Sequence, residues 1–291
     1  MGPVRPENAM VQRQPPPTGR TILITGCSSG IGFDAAQGLR ARGWRVLASC
    51  RQEADCARLR AEGFESPRID YADAESVAEG AARALEATGG RLDALFNNGA
   101  HACPGAVEDL PRGALEAIFQ ANLFGWHDLT RRVIPVMRAQ GHGRIVNCSS
   151  VLGFVGLRWR GAYVATKFAL EGLTDVLRLE MAGTGIHVSL IQPGPIATRI
   201  RENAVPHFER WIDWRASARA AEYETLLDRL YGPKRPDPWE LPPAAVTARL
   251  IHALESRRPR ARYRVTVPTH AMAVLRRLLP GAAVDWVARR A

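Results

Sequence analysis

Apolar residues fall in short runs separated by longer amphipathic stretches, and the two alternate regularly. Thr21-Ile-Leu-Ile-Thr25 is a β-rich run closed by Gly26-Cys-Ser-Ser-Gly30-Ile-Gly32, after which a helical pattern continues to Arg42. Residues 44–49 read as a second strand, followed by helix 54–62, strand 64–70, helix 74–88, strand 92–97 and helix 113–139. Strand 144–148, helix 161–182 and strand 187–191 continue the order. Helix 243–256, strand 263–267 and a helix from residue 269 close the chain. Strands and helices alternating at this spacing predict an α/β fold, a doubly wound parallel sheet of about seven strands with helices on both faces. Pro135 should kink the long fourth helix, because it removes one backbone donor and its ring crowds the preceding turn.

Two stretches depart from the alternation. Residues 1–19 are rich in Pro and Gln and lack the apolar run of a secretory signal, so they read as a flexible leader before a single domain at 20–291. Residues 196–240 carry Phe208, Trp211, Trp214, Tyr223, Tyr231 and Trp239 among many charges and end in a Pro-rich segment, which reads as a helical substrate lid. In 269–291, Met272, Leu275 and Leu279 share one helical stripe, Pro280-Gly281 interrupts it, and Val284, Trp286 and Val287 resume it beside Arg289 and Arg290. Core or oligomer packing suits this amphipathic segment; resting on a membrane surface is the alternative.

Composition narrows the class. The net charge of +10 comes almost entirely from Arg spread over many helices, without zinc-finger spacing or an RNA-binding strand motif, so a solvated basic surface is expected and not a nucleic-acid partner. The five cysteines (Cys27, Cys50, Cys56, Cys103, Cys148) are scattered, with no C-x-x-C, which indicates neither a disulfide framework nor a metal site and fits a reducing, cytoplasmic setting.

Candidate chemistry sits in two places. Gly26, Gly30 and Gly32 lie between a strand and a helix, with Ser28, Ser29 and Ile31 between them; a tight turn, close backbone approach and a helix N-terminus together suit a dinucleotide pyrophosphate. At the end of the second strand stands Ala48-Ser-Cys-Arg51 with no acid before Glu53, so Arg51 is placed to favour NADP(H) through its extra phosphate, with NAD not excluded. The second place is Ser149 to Lys167. Tyr163 and Lys167 are four apart, hence on one helix face. Only Lys167 and Lys234 are lysines among 39 basic residues, so a compact ammonium is wanted where Arg is the default.

With these, Asn97-Asn-Gly-Ala100, Asn122, Ser150 and Pro193-Gly194 in order, the chain resembles the short-chain dehydrogenase/reductases, most closely the branch with 17β-hydroxysteroid and retinol dehydrogenases. The resemblance implies a Rossmann-type fold and a tetrad of Asn122, Ser150, Tyr163 and Lys167. In it Lys167 favours the Tyr163 phenolate and holds the nicotinamide ribose, Ser150 binds the substrate oxygen, and Asn122 holds a water. It also places Asp70 near adenine, Asn97 near the adenosine ribose, and Pro193, Gly194, Ile196 and Thr198 by the carboxamide. The usual Asn-Asn-Ala-Gly is Asn-Asn-Gly-Ala here, which alters the loop at Gly99. A small-molecule alcohol or carbonyl, bulky and apolar to match the lid, and a homodimer or homotetramer through the fourth and fifth helices follow. A catalytically silent nucleotide-binding regulator is the rival reading.

Overall fold

A computed structural model describes residues 19–233 and 235–289; the expected leader lies outside the described residues, apart from Gly19. Six parallel strands, β1 (Thr21–Ile24), β2 (Arg45–Ala48), β3 (Ala94–Asn97), β4 (Gly143–Cys148), β5 (Ile186–Gln192) and β6 (Arg262–Arg264), form one sheet in the order β2-β1-β3-β4-β5-β6. Strands β1 and β3 are buried at every position, as a parallel sheet covered on both faces requires, and their apolar runs therefore show no alternation.

The expected strand at 64–70 is reduced to two isolated bridges, Leu47 to Glu65 and Cys50 to Arg68, which accounts for six strands where about seven were expected. The run lies outside β2 at the sheet edge, and Pro67 within it has no backbone N–H to continue a ladder.

Helices α1 (Gly30–Arg40), α2 (Glu53–Ala61) and α3 (Ala74–Ala87) follow the early strands. Asp73 caps α3 by accepting from the N–H groups of Glu75 (3.0 Å) and Ser76 (3.2 Å), and Val77, Gly80, Ala81 and Ala84 turn its small-residue stripe inward. The expected helix 113–139 is three pieces: α4 (Arg112–Phe119), a wide π-helical turn at Gln120–Phe124, and α5 (Gly125–Gln140), which runs through Pro135 and ends at Gly141 in the left-handed conformation. Gly125 is required there, since a Cβ would lie 2.3 Å from the backbone oxygen of Tyr71.

Helix α6 (Gly161–Glu180) packs on β5. The stretch expected to form a lid contains α7 (Ile200–Trp211) and α8 (Ala220–Tyr231). Helix α9 (Ala244–Glu255) lies beside α1 on one face of the sheet. The C-terminal segment forms α10 (Val267–Leu278), against the turn Val151–Gly153, and α11 (Gly281–Ala288). Among the described residues no helix is long and apolar enough to cross a membrane.

The chain order reverses between β2 and β3 on either side of β1, which opens a crevice at the carboxyl ends of β1 and β3.

Candidate active site

The crevice is floored by two glycine-bearing turns in contact. A Cβ on Gly26, whose φ is +68°, would lie 2.6 Å from the Cα of Gly99, and a Cβ on Gly32 would lie 2.3 Å from the oxygen of Gly26. Only hydrogen fits at either position. The exchanged order Gly99-Ala100 is therefore accommodated: the glycine stands where the two turns touch. Asn98 clamps them by donating from Nδ2 to the carbonyl of Thr25 at 3.1 Å.

Ser29 begins α1 without capping it through its side chain, so the first-turn N–H groups of Gly30, Ile31 and Gly32 face the crevice without intrahelical acceptors. Ser28 is exposed beside them. Thr198 lies over Gly30, its Cγ2 3.1 Å from where a Cβ would stand, so the segment after β5 reaches the crevice at Thr198. This cradle of backbone donors suits the pyrophosphate of a dinucleotide.

Arg51 is exposed just past β2, and its charge is felt by both His101 and His207 at the crevice. The first acid after it, Glu53, pairs with Arg60 and is turned away. Asp70 stands half-buried beyond, accepting from the N–H of Ala72 at 3.1 Å.

Asn97 departs from its expected place. Its side chain is fully buried: Oδ1 accepts from the Tyr71 hydroxyl (2.6 Å), and Nδ2 donates to Thr130 Oγ1 (3.1 Å) and Asn147 Oδ1 (2.9 Å). The Asn147 amide in turn donates to Thr174 Oγ1 at 2.9 Å, so a polar row crosses the sheet layer and leaves the Asn97 amide nothing to offer a ribose.

The other expected residues converge. Tyr163 and Lys167 project from the buried stripe of α6, one turn apart. The Lys167 ammonium donates to the carbonyl oxygen of Cys148 at 2.8 Å and lies 4.3 Å from the Trp126 ring centre and 5.5 Å from that of Tyr163. Burial pulls its pKa down to about 8, while Cys148 and Glu171 oppose the shift. Burial, and then the neighbouring Cys148, raise the Tyr163 phenol well above its ordinary value, and Ser150 nearby offsets this only in part. The resting phenol is therefore protonated, and the Lys167 ammonium is directed at a backbone carbonyl beside it. Ser150 also caps the turn Val151–Gly153, its Oγ accepting from the N–H of Leu152 at 3.1 Å.

Asn122 occupies the wide turn, and its amide is fully engaged. Oδ1 accepts from the N–H of His101 (3.1 Å), while Nδ2 donates to the His101 carbonyl (2.8 Å) and to Thr166 Oγ1 (3.3 Å). Thr166 donates to the Tyr163 carbonyl at 2.8 Å, so Asn122 ties the loop after β3 to the helix bearing the Tyr–Lys pair. The helical bulge brings its amide inward, where a regular turn would direct it elsewhere.

The family model for short chain dehydrogenases matches residues 20–208, well over half of the chain. The chain belongs to the short-chain dehydrogenase/reductase family. It is 40% identical to the uncharacterized oxidoreductase YbbO of Escherichia coli over 268 residues, covering 92% of this chain and 93% of the relative. It is 35% identical to human retinol dehydrogenase 8 over 189 residues, covering 62% of this chain and 60% of that protein. A solved short-chain dehydrogenase/reductase from Burkholderia phymatum, in complex with NAD, superposes with a TM-score of 0.74 at 26% identity, covering 89% of this chain and 92% of that one.

In this short-chain dehydrogenase the lid lies directly on the Tyr163 side of the crevice. Phe208, Ile212, Tyr223 and Leu226 form one buried cluster with Ala162 and Tyr163. Tyr223 fastens the lid to the floor: its hydroxyl donates to Asp109 Oδ2 at 2.7 Å and accepts from the N–H of Ala106 at 2.9 Å. Trp159 packs on Tyr223 with ring centres 4.8 Å apart and holds φ at +65°, a left-handed conformation unusual for a bulky residue. Trp239 and Tyr231 are half exposed instead. Residues without a sequence signal also enter the site: His101 and His207, stacked across floor and lid, and Thr166 and the Cys148 carbonyl, which act through backbone geometry.

Proposed function

We propose that this oxidoreductase interconverts a bulky, apolar alcohol and its carbonyl compound with NADP(H). The observation that carries the reading is the buried Tyr163 phenol with Lys167 one turn later on the same buried stripe of α6. When bound, the nicotinamide supplies or accepts the hydride. Gly30, Ile31 and Gly32 offer backbone donors to the pyrophosphate, and Gly26 keeps the floor low enough for it to approach. Arg51 is assigned to the 2′-phosphate; a guanidinium at the end of β2 that pairs with no carboxylate among the described residues supports this. Asp70 is assigned to the adenine end, and Pro193, Gly194, Ile196 and Thr198 to the carboxamide end.

In reduction, the Ser150 hydroxyl orients the carbonyl oxygen, and Tyr163 donates its phenolic proton to that oxygen. Lys167 stabilises the phenolate that remains. Asn122 is a positioning residue in this scheme, since its amide is bonded within the protein. The resting phenol is protonated, which suits reduction at neutral pH. The apolar lid cluster over Tyr163 supports a substrate with a sizeable hydrocarbon part. On the outer face of α6, Leu173, Val176 and Leu179 are exposed at helical spacing, which supports pairing of two copies through this helix, and we place the enzyme in the cytoplasm.

The test is a panel of alcohols and carbonyls, from small polar to steroid- and retinoid-sized, assayed with NADPH, NADP⁺, NADH and NAD⁺ against Tyr163→Phe as the blank. Turnover of large apolar members is expected. Turnover of small polar carbonyls alone would sink the substrate class, and NADPH binding without any turnover would favour a silent regulator.

A further inference from the structure

A second cavity, of about 480 Å³, opens between α6, β6 and α10. It shares no residue with the glycine turns or with Ser150, Tyr163 and Lys167. Phe154 and Phe168 form an apolar part of its wall, and Arg262, Arg264, Arg276 and Arg277 line most of the remainder together with Glu171 and Gln192. Among the described residues only Arg262 meets carboxylates: it donates from Nε to Glu171 (3.1 Å) and from Nη2 to Asp175 (2.5 Å). Arg276 bonds the Phe154 carbonyl oxygen and stands 5.2 Å from the Phe168 ring centre, a contact that leaves its charge unbalanced.

Among the described residues, no carboxylate pairs with Arg264, Arg276 or Arg277. Among the described residues Arg264 Nε is buried with no acceptor. Leaving a buried guanidinium donor unsatisfied is costly, and gathering three like charges around one cavity adds repulsion. Both costs are relieved by one kind of occupant. Guanidinium groups bond carboxylate and phosphate oxygens through charge-assisted, often bidentate hydrogen bonds, and the two rings accept hydrocarbon. The volume lies within the ordinary range for small-molecule sites.

We propose that this cavity is a second ligand site, for a carboxylate or phosphate monoester carried on an aryl or alkyl group. The anion lies against Arg264 and Arg277, and its apolar part lies between Phe154 and Phe168.

The full-length protein is first saturated with NADPH, so that anions cannot occupy the cofactor crevice. It is then titrated calorimetrically with phenyl phosphate, benzoate, phenol and inorganic phosphate. One equivalent of phenyl phosphate or benzoate should bind at least tenfold more tightly than phenol or inorganic phosphate, and the tighter of the two identifies the head group. Arg264→Met and Arg277→Gln should each weaken that binding at least tenfold without changing NADPH affinity, whereas Arg83→Gln on α3 should leave it unchanged. Arg277 is exposed, so Arg277→Gln decides the matter even if Arg264→Met does not fold. The proposal is overturned if neither aryl anion binds, if binding is indifferent to both variants, or if it disappears as NADPH saturates the protein.

Discussion

The imidazoles of His101 and His207 lie face to face, with ring centres 3.7 Å apart and planes 12° from parallel. One stands on the loop after β3 and the other on the first helix over the site, so the stack joins floor and lid. Burial, then the neighbouring His207 and Arg51, hold His101 down to about 3. Burial, followed by Arg51 and Arg210, lowers His207 as well. Both rings are neutral near pH 7.

Acid should therefore loosen this contact before it affects most of the protein. Above about pH 6.5 the native and unfolded chains both carry a neutral His101, and the pair contributes no pH dependence. As pH falls below that value the unfolded chain takes up protons that the native chain refuses, so stability declines towards pH 3. From His101 alone the loss at pH 5 is roughly 2 kcal/mol, at about 1.4 kcal/mol per pH unit. Urea unfolding at pH 7.5 and pH 5 measures it. The double variant His101→Gln, His207→Gln should show a visibly smaller drop between the two; an unchanged drop would place the acid sensitivity elsewhere.

Replacing the phenol removes the proton donor and little else. Tyr163→Phe should lower kcat by about 10²- to 10⁴-fold, the usual contribution of a positioned acid or base, with NADPH affinity within a few-fold of the parent. Stopped-flow turnover and fluorescence titration of NADPH separate the two effects. Retention of more than a tenth of the activity would remove Tyr163 from the chemistry.

Lys167 sets the alkaline limit. Its ammonium is held down to about 8 by burial, so it is charged at neutral pH and loses its proton as the pH rises past 8. The neutral amine no longer stabilises the phenolate left after proton donation, and kcat/KM for carbonyl reduction should fall above that point. A profile from pH 6 to 10 in saturating NADPH tests this, and Lys167→Met should be slow and lack the alkaline limb.

Cofactor choice is assigned to Arg51. Arg51→Asp places an acid where ribose hydroxyls are bound in NAD-preferring enzymes, and should shift the ratio of NADPH to NADH affinity by tenfold or more towards NADH. Competition binding of the two reduced cofactors gives the ratio directly. A ratio that does not move would assign the preference to other residues.

Two glycines should respond oppositely to the same substitution. In Gly32→Ala the new methyl would lie 2.3 Å from the backbone oxygen of Gly26, forcing the two ends of the turn apart and weakening NADPH binding. Gly172, inside α6, has nothing within 4 Å of where a Cβ would stand, so Gly172→Ala should raise stability by about 0.5–1 kcal/mol. Thermal melts with and without NADPH distinguish the two.

Much of this arrangement is legible in the chain because it depends on local pattern. Apolar runs set off by amphipathic stretches mark β1, β4 and α6 to within a few residues, and the Tyr163–Lys167 spacing alone places both on one stripe. What escapes depends on long-range geometry. Pro67 makes 64–70 an edge that bridges without pairing, and periodicity does not register an edge. The wide turn at Gln120–Phe124 keeps an amphipathic pattern while adding a residue to one turn, so 113–139 reads as continuous. The stacked histidines are 106 positions apart in the sequence. The motif around Asn97 indicates a crevice, whereas its partners Tyr71, Thr130 and Asn147 come from three other segments and draw the amide into the core.

That same amide has a consequence for how the strands are set. Asn97 and Asn147 are opposite each other on adjacent strands, and the runs around them, Ala-Leu-Phe and Arg-Ile-Val, present aliphatic faces that several alignments would bury nearly as well. Slide either strand by one position and the two amides face opposite layers of the molecule, each stranded among hydrocarbon. The pair thus penalises the near-miss alignments that hydrophobic burial alone would tolerate, and fixes which residues finish at the mouth of the crevice.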